Sequence, residues 1–109
     1  MDFETYQKLS RKTAKYPRIG KKFVYPLLGL VGETGEVFEK FKKLFRDKKG
    51  KINKVFLNDI EYELGDILWY LSNLASDLGL SLEEIARKNI EKIFDRKKRN
   101  KIHGSGDYR

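Results

Sequence analysis

"GLVGETGEVFEK", residues 29–40, places two glycines and two glutamates inside an apolar pattern of helical spacing. Around it Leu27, Leu30, Val31, Thr34, Val37, Phe38, Phe41, Leu44 and Phe45 recur at steps of three and four. That is the period of a buried helix face, and it predicts a helix over residues 27–46. Glycine inside a helix costs about 1 kcal/mol relative to alanine. Gly32 and Gly35 therefore point to a demand other than helix stability.

Working outward, the same period returns in three other places and no run alternates as a strand should. Asp2 is a candidate N-cap for a first helix over residues 2–15, with Phe3, Tyr6 and Leu9 as apolar contacts. Residues 16–26, "YPRIGKKFVYP", read as a loop broken by Pro17, Gly20 and Pro26. Past a basic turn around Gly50, residues 56–78 carry the stripe Ile60, Leu64, Ile67, Leu68, Leu71, Leu74, Ala75 and Leu78, with Gly79 placed as a C-terminal cap. Ser81 and Glu84 form a capping box that opens a fourth helix, which fades out in "RKKRNK". The expected fold is all-α, a bundle of four to five helices in one domain spanning residues 1–109.

Composition narrows the function. Hydrophobic residues at 39% and charged residues at 37% suit a globular chain, and cysteine is absent, which removes disulfides and thiolate metal sites. No apolar run reaches membrane-spanning length and the N-terminus has no signal-peptide core, so a cytoplasmic protein without membrane association is expected. The net charge of +8 is local: residues 46–54 carry +4 and residues 96–101 carry +5. Such clusters suit a phosphate-bearing partner; solvated runs at a turn and a helix end are the competing reading.

On a helical wheel Glu33 lies roughly 90° to one side of its apolar stripe and Glu36 about 60° further out. Glu63 and Asp66 take the same places beside the stripe of the third helix. If the two helices pack antiparallel, four carboxylates converge on one cleft. Like charges that close repel and take up protons, and a divalent cation resolves the conflict. An all-oxygen set without His or Cys suits Mg²⁺ or Mn²⁺ better than Zn²⁺. Either acidic pair alone is ordinary solvated surface; the matching positions on consecutive helices, with Gly32, Gly35 and Gly65 beside them, argue for more. Small residues there would let a backbone, a metal shell or a ligand come close.

The pattern "GLVGETGEV…EYELGDILWYLSNLASDLGLSLEEIARKNIEKIFDRKKR…HGSGDYR" resembles the MazG-like nucleotide pyrophosphohydrolases of the all-α NTP pyrophosphatase superfamily, over about residues 24–109. Their signature is ExxE, a spacer, then ExxD, matched here by Glu33/Glu36 and Glu63/Asp66 with 26 residues between. The resemblance implies Mg²⁺-dependent cleavage between the α and β phosphates of a nucleoside triphosphate, and assembly into homo-oligomers, dimers or tetramers. It carries the metal-ligand role to Glu33, Glu36, Glu63 and Asp66, and substrate binding to Lys88, Asn89, Lys92 and Arg96. Many relatives have an acid where this chain has Gly32, which thins the support around the first glutamate.

The fourth helix supplies charge opposite to the acids. Lys88, Lys92, Arg96 and Arg99 recur at helical spacing and form a strip suited to phosphate oxygens. In the mechanism this predicts, Glu36, Glu63 and Asp66 act at the reacting centre, with Glu36 the proposed acceptor of a proton from water. Tyr70 and Asn73 are candidates for stacking on and hydrogen bonding to a base; packing at the core edge is the alternative for both. The tail Gly104–Asp107 reads as a flexible end or as a loop wrapping a phosphate or a neighbouring subunit. Trp69 and Tyr62 project away from the stripe of the third helix, and two rings left in water imply a second buried face and a homo-oligomer. The rival reading is a basic helical module that binds nucleic acid or protein without catalysis. The absence of any helix-turn-helix, zinc or RNP signature weighs against nucleic acid.

Overall fold

A computed structural model describes all residues, Met1–Arg109. The chain forms four helices and no strand: α1 (Phe3–Arg11), α2 (Val24–Lys48), α3 (Lys54–Asp77) and α4 (Leu82–Lys98). No helix is long and apolar enough to cross a membrane.

The boundaries have local causes. Asp2 accepts from the Thr5 amide at 2.7 Å and starts α1. Helix α1 stops at Arg11, four residues short of expectation. Helix α2 begins at Val24, so Pro26 sits inside its first turn rather than in the preceding loop. Amides there lack helical partners in any case, so proline's missing N–H costs nothing. The helix then runs unbroken through Gly32 and Gly35. Asn53, which the sequence reading passed over, caps α3 by accepting from the Phe56 amide at 2.8 Å. At the far end Gly79 adopts φ +72°, and the amides of Gly79 and Leu80 bond back to Ser76 and Ala75, a Schellman turn. Ser81 caps α4 through the Glu84 amide at 3.2 Å. Only half of the expected box closes, because the Glu84 carboxylate turns to Arg87 instead.

Helices α2 and α3 make the main packing contact. They run antiparallel: Phe41 meets Phe56 edge-to-face, Lys40 pairs with Glu63, and Gly29 faces Tyr70. The Gly29–Tyr70 contact fixes how closely the helices approach. A Cβ at residue 29 would sit inside the Tyr70 ring. No other part of the chain fills the space beside Gly32, Gly35 and Gly65; no atom of it lies within 4 Å of a Cβ built at any of the three.

Helix α1 is pinned to α3 by polar groups. The Ser10 and Ser72 hydroxyls share a hydrogen bond of 3.0 Å, both residues being buried. Arg11 pairs with Asp77, whose side chain is 1% exposed, and the Tyr16 hydroxyl donates to the same carboxylate at 2.6 Å. Gln7 donates to Ser76 and to the Leu80 carbonyl while accepting from the Leu82 amide, so one side chain ties α1 to the start of α4. The 12–23 segment also covers Trp69, contrary to the expectation that this ring stands in water. Its indole N–H donates to Thr13 at 2.9 Å, and Tyr16 and Tyr70 meet it edge-on.

Much apolar surface stays bare. Val31, Phe38 and Phe45, seven residues apart on α2, are 69%, 70% and 66% exposed. Leu57, Tyr62 and Leu64 on α3, and Ile90 and Phe94 on α4, are exposed as well. The apolar stripe of α2 is thus split: Leu30, Val37, Phe41 and Leu44 face α3, and the neighbouring row stays largely exposed, with only the Phe45 ring lying against Gly50 and Phe41.

Gly29→Ala should destabilise the protein by about 1–3 kcal/mol, because the methyl must displace the Tyr70 ring. Gly32→Ala, into open space on the same helix, should instead stabilise it by up to about 1 kcal/mol. Urea unfolding of the two variants checks the contrast; equal effects of one sign would contradict it.

Candidate active site

The acidic ladder is assembled by the α2–α3 hairpin. Glu33, Glu36 and Glu63 each offer a carboxylate oxygen, and these oxygens lie within 4.8 Å of one another. Glu33 and Glu63 are half-buried and Glu36 is exposed. The expected convergence is thus reproduced for three of the four acids. Asp66, one turn on from Glu63 and exposed, stands beside the trio and borders a shallow depression with Glu61, Tyr62 and Gly65.

The electrostatics of the trio are unfavourable as it stands. Partial burial raises the Glu33 pKa, and the charges of Glu36, Asp66 and Glu63 add to the rise. Glu63 is 16% exposed, and its Oε1 lies 3.7 Å from Lys40 Nζ. Its Oε2 is buried with no hydrogen-bond partner. An ionised carboxylate oxygen withdrawn from water and left unpaired costs free energy. A hard cation at this point would satisfy that oxygen and neutralise the repulsion, and the all-oxygen donor set suits Mg²⁺ or Mn²⁺. The residues present therefore fit such an ion.

Two neighbours of the acids escaped the sequence reading. Lys40 lies one turn beyond Glu36 on the same edge of α2, a spacing that could have marked it. Tyr6 of α1 lies near Asp66; burial and then the Asp66 charge raise its pKa. No periodicity could have revealed Tyr6, since it arrives from a separate helix. Tyr70 is half-buried against Gly29, and its pKa is raised by burial and by Tyr25, Glu33 and Asp66. It adjoins the acids, as expected, with part of its ring spent on packing.

Other sequence-predicted positions need correction. Asn73 is fully buried: its Oδ1 accepts from Arg11 at 3.3 Å and its amide donates to the Trp69 carbonyl at 3.0 Å. It belongs to the polar pin between α1 and α3 and presents no edge to a base. Arg96 is 7% exposed and donates to the carbonyls of Gly106 and Asp107, so it anchors the tail rather than standing in a free cationic strip. Arg99 likewise bonds Asp95 and the Arg109 carbonyl. Lys88, Asn89 and Lys92 line one shallow face of α4 with Ile85. Helix α4 packs on α1 and α3 and makes no contact with α2, so that face does not pack against the α2 carboxylates within one chain.

Comparison with known proteins places the chain in a family. The Gene 37 protein of Mycobacterium phage L5 is 40% identical over 114 aligned positions that take in the whole of both chains. No solved structure matches the chain. The family model for the MazG nucleotide pyrophosphohydrolase domain matches residues 26–100, a span that holds all four acids and most of α2, α3 and α4. The chain belongs to the MazG nucleotide pyrophosphohydrolase family.

Proposed function

We propose that this protein is a Mg²⁺-dependent pyrophosphohydrolase that splits the bond between the α and β phosphates of (deoxy)nucleoside triphosphates. Water is consumed, and the monophosphate and pyrophosphate are released. The observation that carries this reading is the gathering of Glu33, Glu36 and Glu63, with the buried, unpartnered Glu63 Oε2 among them, in a member of this family.

Glu33, Glu36 and Glu63, with Asp66 alongside, would hold the ion. When bound it supplies Lewis-acid polarisation of a phosphate oxygen and eases ionisation of a water. Glu36 is the most exposed of the trio and is suited to accept the proton of the attacking water. Lys88 and Lys92, with Asn89, offer point charges and a hydrogen-bonding amide to the departing pyrophosphate.

Self-association is part of the proposal. The chain exposes 8555 Å², whereas a folded monomer of 12.9 kDa exposes about 6,300 Å². Its radius of gyration is 16.9 Å, against about 13 Å for a compact chain of this length. The surplus, about 2,200 Å², is of the size one subunit contributes to an obligate homodimer. The bare row Val31, Phe38 and Phe45 lies on the edge of α2 away from the acids, so a second copy can cover it and leave the carboxylates open. Assembly is also what brings the α4 cations to a nucleotide on the carboxylates, since α4 does not pack on α2.

Pyrophosphate release across a panel of NTPs and dNTPs, with and without Mg²⁺, tests the activity. Glu36→Gln and Asp66→Asn should each lower turnover by about 10²–10⁴-fold while the folded helix content is retained. Full activity in either variant would rule out the scheme.

Mg²⁺ should also raise Tm at pH 7.5 by several degrees, since about 1 kcal/mol shifts a domain of this size by ~4–8 °C. Glu33 makes its own contribution to the pH dependence. Its raised pKa means the native state holds that proton more tightly than the unfolded chain. The contribution of Glu33 to metal-free stability is therefore lost as pH rises past the ordinary glutamate range, and the Mg²⁺ increment fades on acidification. Glu33→Gln should raise the metal-free Tm and shrink the increment, as read by calorimetry.

Phe38→Asp places a charge in the bare row. It should convert the assembly to monomers on size-exclusion chromatography with light scattering, with loss of turnover. A wild-type chain that runs as a monomer at micromolar concentration would contradict the assembly.

A further inference from the structure

The last nine residues are organised more closely than a glycine-rich end requires. Helix α4 closes with a Schellman turn in which Asn100 adopts φ +56° and the Lys101 amide bonds to the Arg96 carbonyl at 2.7 Å. This reverses the chain onto α4. Three guanidinium groups then hold the returning segment by its carbonyls. Arg96 donates to Gly106 and Asp107 at 3.2 and 2.8 Å. Arg109 donates to Lys101, Ile102 and Gly106 at 3.2, 2.7 and 2.7 Å. Arg99 takes the Arg109 carbonyl at 2.7 Å.

The consequence is the position of one carboxylate. Asp107 Oδ1 lies 3.1 Å from Lys92 Nζ and 3.7 Å from Arg96 Nη2. We propose that residues 101–109 form a strap that seats the Asp107 carboxylate on Lys92, where it competes with the phosphates of an incoming nucleotide. The proposal rests on the reading of Lys92 as a phosphate contact.

The strap is strong at its base and weak at its tip. Its base is the buried Arg96, whose side chain is 9% exposed and whose guanidinium bonds backbone carbonyls. Its tip, Asp107, is 76% exposed, so the pair with Lys92 lies in water and is weakened by salt. A polyphosphate carries several charges against the single charge of the aspartate and takes Lys92 from it. The tip therefore yields while the base stays docked, and each binding event gives up one weak ion pair.

Calorimetric titration of the full chain with sodium tripolyphosphate, without metal and at low salt, tests this directly. Asp107→Asn should bind about two- to fivefold more tightly than wild type, the range an exposed ion pair supports. The gain should vanish in a Lys92→Gln background, where the double variant matches Lys92→Gln alone. Equal or weaker binding by Asp107→Asn, or none at all, overturns the strap. Because Asp107 is exposed, its amide variant should melt with the wild type, which separates the effect from misfolding. A chain that hydrolyses nucleotides but shows no gain in Asp107→Asn loses the strap alone. A chain that shows the gain but never hydrolyses a nucleotide loses the enzymatic reading alone.

Discussion

Three carboxylates held where they repel one another are the constraint around which the rest of the structure is arranged. Glu33, Glu36 and Glu63 would separate if the hairpin relaxed, since like charges in a half-buried site disfavour one another. The hairpin does not relax because its packing edge is fixed elsewhere. Gly29 admits the Tyr70 ring one turn before the first acid, and Phe41 meets Phe56 beyond the last. The acids are bracketed by two contacts that do not depend on them. Lys40 relieves one oxygen of Glu63 and leaves the other unpartnered. Such an arrangement leaves one buried oxygen unsatisfied, which is what the proposed cation would answer.

Holding that arrangement in a small chain requires help from outside the apolar core. Only Leu44, Ile60, Ala75 and Leu82 are buried hydrophobic residues apart from Pro26, whereas Ser10, Ser72, Asn73, Asp77 and Arg96 are buried polar ones. The polar groups are paired, which is what makes their burial tolerable. Arg11, Tyr16 and Asp77 form a closed set at the C-terminal half of α3, and Gln7 reaches from α1 to the first amide of α4. Directional bonds of this kind specify one docking angle for α1, where a few apolar contacts would allow several. That angle is what sets Tyr6 near Asp66.

Helix existence and the Gly79 and Ser81 caps were legible because each follows from local spacing; the grouping of the acids needed in addition the antiparallel packing of α2 on α3, and it takes in three of the four. Periodicity says which face of a helix is apolar; it does not say how much of that face one chain can cover. The row Val31, Phe38 and Phe45 reads as core on the wheel and is bare in the fold. Trp69 fails in the opposite sense, since its cover comes from Thr13 and Tyr16 in a loop that carries no periodic signal. Asn73 and Arg96 fail for a shared reason. A polar residue at a helix edge looks available until a distant segment, α1 for one and the tail for the other, claims its hydrogen bonds. The glycines divide likewise: Gly29 opens the quoted stretch, yet its need becomes visible only once Tyr70, from another helix, lies against it.

The split stripe of α2 would also tie the proposed assembly to the proposed chemistry. Leu30, Val37, Phe41 and Leu44 face α3; the acids flank that contact on one edge and Val31, Phe38 and Phe45 flank it on the other. Burying the bare row against a second copy would stiffen α2 from behind without closing the acid face. A helix clamped on both apolar edges can yield to carboxylate repulsion only by bending, and bending would break contacts on both sides together. Separation of the acids would then require the hairpin contact and the subunit contact to fail at once. On that argument a protomer taken out of the proposed assembly would hold its acids less firmly, and would bind a cation less tightly, even though every proposed ligand belongs to the same chain.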